Sequence, residues 1–304
     1  MSRLFDALKG ASNFRQGNEG KAGEGVWAAL GINEADLAPV LNDADVSRQN
    51  APSAVLPEKL GVVFQEDEVP RDFDQFEDSD ATPTTVSVDQ RARLIQNAVD
   101  PVVAEYYRRL RTKVMQQQAE SNFRSLVVTS ANPQEGKTVT VLNLGLSFSM
   151  LPSFKVLVVD GDLRRGTLGN WLGVDHDHPG LSNLIDGSAQ LENVLFKSDK
   201  IPMHFVVRGN SQVPDLHTSQ LQSHFQRMTE QYDLVLVDTP PVNLIADVQL
   251  LAASCDAVLL VARAFSTTRK ALEKAVQELH RFRVIGTVLN AGTAQRYRYR
   301  GDYY

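Results

Sequence analysis

The stretch SLVVTSANPQEGKTVTVLNLGLSFSM, residues 125–150, determines the fold of this chain. Its apolar start, 125–129, reads as a buried strand, and its last part repeats apolar residues at helical spacing. The pattern small-x-x-x-x-Gly-Lys-Thr at 131–138 lies between them, which is the context of a phosphate-binding loop. In such a loop, backbone N–H groups and the positive end of the helix dipole face the phosphate oxygens.

Individual loop residues have separate expected tasks. Gly136 permits close approach to the ligand, Lys137 neutralises the β- and γ-phosphates, and the Thr138 hydroxyl binds Mg²⁺. The first position is Ala131 rather than glycine, and Gly-Lys-Thr alone is also compatible with an ordinary helix start. The predicted nucleotide-binding residues are Ala131, Asn132, Pro133, Gln134, Glu135, Gly136, Lys137, Thr138 and Val139.

Two further motifs place carboxylates at predicted strand ends. LVVDGDLRR (157–165) and LVLVDTPP (234–241) both follow apolar runs, and open α/β sheets bind ligands at the carboxyl ends of their strands. Singly, each is also explained as a turn or loop; together with the loop they predict ATP and Mg²⁺ as cofactors. The predicted metal ligands are Thr138, Asp160, Asp162 and Asp238. The predicted catalytic residues are Lys137, Asp160, Asp162, Arg164 and Asp238.

The rest of the domain alternates strand and helix patterns. Such alternation predicts an α/β fold with a mostly parallel sheet flanked by helices on both faces. Together with the phosphate-binding loop, it predicts the P-loop NTPase class. Apolar runs predict six strands, at 125–129, 155–160, 204–208, 233–238, 256–262 and 283–290. Helical patterns cover 138–150, 216–231, 245–253 and 267–281.

Residues 1–95 have a different texture. Eight acidic residues against one arginine lie between Glu66 and Asp80, and this polar, proline-containing tract predicts a largely disordered linker. The start carries Leu4, Phe5 and Leu8 at helical spacing, compatible with a short amphipathic helix or a frayed terminus. We therefore divide the chain into a 1–95 extension, a 96–293 nucleotide-binding domain and a flexible 294–304 tail.

Composition limits the function. The net charge of −6 argues against nucleic acid as a partner. Cys255 is the single cysteine, which excludes an intramolecular disulfide framework and suits a reducing cytoplasm. We find no apolar run of about 20 residues and no secretory signal, so a cytoplasmic protein is expected. His176 and His178 are better explained as a solvated loop than as a metal site.

Beyond these motifs, the chain carries EYYRRLRT (105–112), GLSNLIDG (180–187) and DTPPVNLIADVQLL (238–251). With them it resembles the bacterial tyrosine kinases of capsule and exopolysaccharide synthesis, relatives of the deviant-Walker ATPases Mrp, MinD and ParA. The apolar triplet followed by Asp160, Asp162 and Arg164 matches a mark of the kinases. The resemblance implies an ATP-dependent protein-tyrosine kinase in which Asp160 and Asp238 act around magnesium and Asp162 helps activate the acceptor tyrosine.

The C-terminal end is rich in tyrosine. Four of the seven tyrosines lie in its last eight residues. The resemblance makes this cluster the sites of autophosphorylation in trans, although an aromatic and basic tail that binds a partner is the alternative. The predicted autophosphorylation sites are Tyr297, Tyr299, Tyr303 and Tyr304.

Glu105, Arg108 and Arg111 lie three residues apart on a predicted helix. Spacing alone indicates a surface ion pair between the first two. In the kinases that the chain resembles, this motif mediates assembly into a ring whose subunits phosphorylate one another. The resemblance thus implies a homo-oligomeric ring, which the spacing does not show.

The resemblance also implies partners. A membrane-embedded polysaccharide co-polymerase would activate the kinase and recruit it to the inner face of the membrane, and a cognate phosphotyrosine phosphatase would reverse the reaction. Two rival functions stay open: a nucleotide switch of the MinD or ParA type, and a catalytically weak scaffold. Switches of that type carry a lysine where this chain has Asn132, which disfavours the first.

Overall fold

The computed structural model describes residues 84–86, 101–175, 177–198, 201–212 and 216–292. The expectations for the amphipathic start, for most of the acidic tract, for His176 and for the four tail tyrosines lie outside these residues. The predicted α/β fold is confirmed. An eight-stranded sheet crosses the described part of the chain in the order β1-β4-β5-β3-β6-β2-β7-β8.

The strand bounds follow the predicted apolar runs closely. All six predicted strands form, each within two residues of its expected ends. The strands are β1 (Thr84–Val86), β2 (Ser125–Ser130), β3 (Val156–Asp160), β4 (Leu195–Ser198), β5 (His204–Val206), β6 (Leu234–Asp238), β7 (Ala257–Arg263) and β8 (Val284–Asn290). The six predicted strands are parallel neighbours, as βαβ units require.

Two short strands extend the sheet beyond that prediction. β4 runs antiparallel to β5, and β1 pairs parallel with β4. β1 belongs to the tract that the sequence assigned to a disordered linker, so that assignment is wrong for Thr84–Val86. Three residues are too few for a periodic signal, and pairing with β4 supplies the backbone hydrogen bonds that hold this segment in the sheet.

Helices cover both faces of the sheet. The helices are α1 (Pro101–Ser121), α2 (Lys137–Ser149), α3 (Leu168–Leu172), α4 (Leu181–Ile185), α5 (Leu191–Val194), α6 (Thr218–Gln231), α7 (Asp247–Ser254) and α8 (Arg269–Glu278). Alternate strand residues point to opposite faces. Val127 accordingly packs in the core under α4 to α8, whereas Leu126 and Val128 pack in the core under α1 to α3.

This topology brings the sequence motifs to one edge. β3, β6 and β2 are neighbours in the middle of the sheet, and Asp160 at the end of β3 lies opposite Asp238 at the end of β6. The loop after β2 begins beside them, because Val128 is also in register with Asp238. Within the described ranges, no helix is long and apolar enough to cross a membrane.

Candidate nucleotide and magnesium site

The phosphate loop connects β2 to α2. β2 ends at Ser130 and α2 begins at Lys137, so the loop directs the N-terminus of a 13-residue helix to the sheet edge. Gly136 has a φ of 95°, in the left-handed region that favours glycine. A Cβ at this position would also collide with the side-chain amide of Asn290. The glycine of the motif is therefore required by backbone geometry and by packing.

Thr138 and Asp238 connect the loop to β6. The Thr138 hydroxyl donates a hydrogen bond to Asp238 Oδ2 at 2.5 Å. Asp238 Oδ1 is buried and has no hydrogen-bond partner among the described residues. Burial raises the pKa of Asp238 to about 6, against the opposing effects of the Thr138 hydrogen bond and the Lys137 charge. The carboxylate therefore has one oxygen that still lacks a compensating donor or cation.

Asp160 is the second buried carboxylate of this edge. Its side chain is 0% exposed and accepts hydrogen bonds from the backbone N–H groups of Asp162 and Leu168, at 3.1 and 2.9 Å. Burial first, and the neighbouring charge of Asp238 second, raise the pKa of Asp160 well above its usual value. Two adjacent buried carboxylates leave this edge short of positive charge.

The chemistry of these donors fits magnesium. Mg²⁺ prefers oxygen ligands and is commonly held by one or two carboxylates together with waters and substrate phosphates. Among the described residues, no three His, Cys, Asp or Glu side chains group closely enough to hold a metal by themselves. Thr138, Asp160 and Asp238, with the neighbouring Asp162, are the residues that could hold the ion together with phosphate oxygens of the nucleotide.

Asp162 and Arg164 lie in the loop that follows β3. Asp162 is half-buried, and its Oδ1 accepts backbone N–H groups of Arg164 and Arg165 at 3.3 and 2.9 Å. Arg164 is 63% exposed and forms a forked ion pair with Asp247 on α7, at 2.8 and 3.3 Å. The guanidinium thus contacts a carboxylate that sequence reasoning did not include, because Asp247 is distant in sequence and belongs to no phosphate motif.

The remaining loop positions differ in their burial. Ala131 and Glu135 are buried, and Pro133 and Gln134 are exposed. The Asn132 side chain donates to Glu135 Oε1 at 3.1 Å, so this amide is used within the loop. Val139, half-buried, follows in the first turn of α2. All the predicted nucleotide-binding residues lie in one continuous loop and helix start.

The three residues of the predicted oligomerisation motif have different surroundings on α1. Glu105 forms ion pairs with Arg108 at 2.9 Å and with Arg109 at 3.2 Å, all at the surface. Arg111 points to the protein body instead, where its Nη1 donates to the Ser147 carbonyl near the end of α2 at 2.5 Å. One member of the motif therefore contributes to packing, and the other two are available at the surface.

A phosphate loop between a central strand and a helix, with buried aspartates at two neighbouring strand ends, defines a P-loop nucleotide-binding protein. A family model described as an AAA domain matches residues 126–285. The chain is 30% identical over 206 residues to the tyrosine-protein kinase CpsD of Streptococcus agalactiae, covering 66% of this chain and 87% of that relative. The chain belongs to this AAA-domain family and, within it, to the bacterial tyrosine-protein kinases.

A longer relative matches over a similar length of this chain. The tyrosine-protein kinase etk of Escherichia coli is 32% identical over 215 residues, which cover 67% of this chain and 29% of that protein. The solved kinase domain of Escherichia coli ETK superposes with a TM-score of 0.59 at 28% identity, covering 73% of this chain and 93% of the domain. The similarity thus extends over nearly the whole of a solved kinase domain.

Proposed function

We propose that this chain transfers the γ-phosphoryl group of Mg·ATP to tyrosine hydroxyls of its own C-terminal tail, in trans, and thereby regulates exopolysaccharide or capsule polymerisation and export. The observation that carries this proposal is the contact between Thr138 and Asp238 beside the unpartnered Asp238 Oδ1. This contact joins the phosphate loop to the neighbouring carboxylate strand at the point where a magnesium–phosphate complex would bind.

The chemistry requires few protein groups. Phosphoryl transfer passes through a loose transition state, so catalysis consists mainly of positioning and charge stabilisation. Lys137 and the bound Mg²⁺ would stabilise the phosphate charge. Asp162, half-buried in the loop after β3, is assigned the acceptance of the tyrosine proton as the new P–O bond forms. Arg164 would contribute only after leaving its ion pair with Asp247.

The proposed acceptors are Tyr297, Tyr299, Tyr303 and Tyr304. The first two alternate with arginines in RYRYRGDYY, and the last two follow Asp302. Each phosphate would add about −1.5 to −2 charge at neutral pH. Phosphorylation would therefore reverse the charge of the tail. A charge reversal of this size is sufficient to change how subunits associate, which gives the modification a physical route to regulation.

Incubation of the purified chain with Mg·ATP tests the kinase activity. Phosphotyrosine and released phosphate are measured together, and Lys137→Met and Asp162→Asn are each expected to abolish phosphotyrosine. ATP hydrolysis with unmodified tyrosines would replace the kinase with a nucleotide switch. ATP binding without turnover, in cells that still control polymer length normally, would indicate a scaffold.

We also propose that the surface pair Glu105 and Arg108 takes part in a homo-oligomeric ring. Both side chains are roughly half exposed, which leaves them accessible to a second subunit. Light scattering of Arg108→Glu is expected to show smaller assemblies than the wild type. Lys113→Glu, the same charge change at another exposed position of α1, is the control, and an unchanged assembly in Arg108→Glu would contradict this role.

The proposed partners are a membrane-embedded polysaccharide co-polymerase, which activates the kinase and recruits it from the cytoplasm to the inner membrane face, and a cognate phosphotyrosine phosphatase. Membership of the polysaccharide-linked tyrosine kinases supports both. A cytoplasmic segment of the co-polymerase is expected to increase ATP affinity. Equal affinity with and without that segment, measured by calorimetry, would remove the co-polymerase from the proposal.

A further inference from the structure

Glu135 is a carboxylate inside the phosphate loop, at a site that otherwise needs positive charge. Its side chain is 1% exposed. A negative charge next to a triphosphate repels the ligand, and a buried carboxylate is tolerated only where hydrogen bonds compensate its lost solvation. The position of Glu135 therefore requires an explanation beyond phosphate binding.

Three hydrogen bonds compensate the Glu135 carboxylate. The backbone N–H of Asn132 donates to Oε2 at 3.0 Å, and the Asn132 side-chain amide donates to Oε1 at 3.1 Å. The Thr267 hydroxyl donates to Oε1 at 2.6 Å. The first two bonds join residues within the phosphate loop, whereas the third connects the loop to the turn between β7 and α8.

That turn is itself held through Thr267. The Thr267 hydroxyl accepts the backbone N–H of Arg263 at 2.7 Å, so both its donor and acceptor functions are used. Two more hydrogen bonds connect the sheet to the same loop. Arg263 Nη1 donates to the Gln134 carbonyl, and the Asn290 side chain donates to the Glu135 carbonyl, both at 3.0 Å. The ends of β7 and β8 thus support the loop at three points.

We propose that Glu135 and Thr267 are positioning residues that hold the phosphate loop in its nucleotide-binding conformation. With the loop already ordered, its N–H groups face the phosphates without the entropy loss that ordering during binding would require. The carboxylate acts as an internal brace and does not contact the ligand. The proposal rests on the proposed function only in taking Mg·ATP as the ligand.

Thr267→Val is the first test, because valine keeps the shape of the buried side chain and removes the hydroxyl. It leaves Glu135 Oε1 without one donor and the Arg263 N–H without its acceptor. Unpaired buried groups should favour loop conformations that do not bind the nucleotide. We therefore expect the Kd for Mg·ATP, measured by calorimetry, to rise about tenfold as the binding-competent fraction falls. In turnover assays the KM for ATP should rise with kcat nearly unchanged, and Thr267→Ser should restore both constants.

A neighbouring residue supplies the matched control. Thr268 accepts the Ala271 N–H as the N-cap of α8, and its side chain is exposed. Thr268→Val should therefore lower thermal stability and leave the Kd for Mg·ATP unchanged. A purely structural role of Thr267 predicts the same behaviour for Thr267→Val, so a changed melting temperature with a wild-type Kd and KM would overturn the proposal.

Glu135→Asp is a second, independent variant. It keeps the charge and shortens the side chain, so the carboxylate no longer reaches Thr267, and the expected loss of affinity is similar. Wild-type ATP affinity in a folded Glu135→Asp protein would also overturn the proposal. Because binding is measured without phosphorylation, a chain that shows these losses and forms no phosphotyrosine would support the brace and contradict the kinase function.

Discussion

At the scale of single residues, the burial of Asp238 destabilises the folded protein, and the same residue is a candidate magnesium ligand. Its pKa is raised to about 6 by burial, so the folded protein retains this proton at a higher pH than the unfolded chain does. The folded state then loses stability as pH rises from about 4 to 6, and the loss persists above pH 6. A bound cation would reverse this effect by stabilising the charged carboxylate.

The free energy of unfolding of Asp238→Asn at pH 7 without nucleotide should therefore exceed that of the wild type by about 1–3 kcal/mol, because the amide avoids burying a charge. Urea denaturation of both proteins at pH 7 and pH 5 measures this difference in unfolding free energy, which should be smaller at pH 5. In the same variant, Mg²⁺ should no longer tighten ATP binding. Asp233→Asn, which alters a contact with the Lys155 N–H at the other end of the sheet, is the control. A less stable Asp238→Asn protein at pH 7 would contradict the argument.

His204 gives a pH dependence of the opposite sign. It is buried, with its Nδ1 2.6 Å from the Tyr232 hydroxyl, and burial followed by the Lys197 and Lys155 charges lowers its pKa to about 4. The unfolded chain binds this proton more readily than the folded chain. The contribution of His204 to the free energy of unfolding, roughly 3 kcal/mol, is therefore complete above pH 6.5 and is lost as pH falls toward 4.

His204→Gln should therefore flatten the loss of stability between pH 6.5 and 4, because glutamine can still bond Tyr232 and does not titrate. Unfolding free energies of the variant and the wild type are compared across this interval. Parallel pH profiles would show that His204 does not contribute this dependence.

The sequence predicted which segments meet at one edge of the sheet, because each phosphate motif follows an apolar run that forms a strand. It could not predict the contacts between distant segments. Thr267 and Glu135 are 132 residues apart and Arg164 and Asp247 are 83 apart, and neither pairing leaves a pattern in one sequence. Glu135 appeared only as a member of the loop, whereas its buried hydrogen bonds assign it a supporting role.

At the scale of elements, length separates the predicted segments from the missed ones. The long apolar runs and the four predicted helices carry enough residues for a periodic signal. The short helices α3, α4 and α5 have four or five residues each, less than two turns. β4 and β1 form where pairing with β5 and with each other satisfies their backbones, which a local pattern does not encode.

The helix α1 provides a prediction at this scale. Arg111 donates to the Ser147 carbonyl of α2, and Val114 is buried, so α1 packs through this side. Arg111→Ala should lower the free energy of unfolding by about 1–2 kcal/mol through the lost hydrogen bond and packing.

Arg108→Ala removes the same charge from an exposed ion pair and should change stability by less than about 0.5 kcal/mol. Urea denaturation of both variants compares the two contributions directly. Equal losses would show that the motif is not divided between packing and surface as the contacts indicate.

At the scale of the whole molecule, the phosphate site and the proposed acceptor tyrosines belong to different parts of the chain. Lys137, Asp160 and Asp238 precede β8, which ends at Asn290, and the tyrosine cluster follows that strand in sequence. The proposed transfer in trans would join them by assembly, so that one subunit binds ATP and another supplies the tail. This division predicts that the two functions can be placed on separate chains.

A mixing experiment tests this central claim. Full-length chain with Lys137→Met keeps its tyrosines and should not bind ATP productively, whereas a second full-length chain has Phe at the four tail positions and an intact phosphate site. With Mg·ATP, mass spectrometry should find phosphotyrosine among Tyr297, Tyr299, Tyr303 and Tyr304 of the Lys137→Met chain only when both chains are present. Consumption of ATP with all four of those tyrosines unmodified would contradict the account.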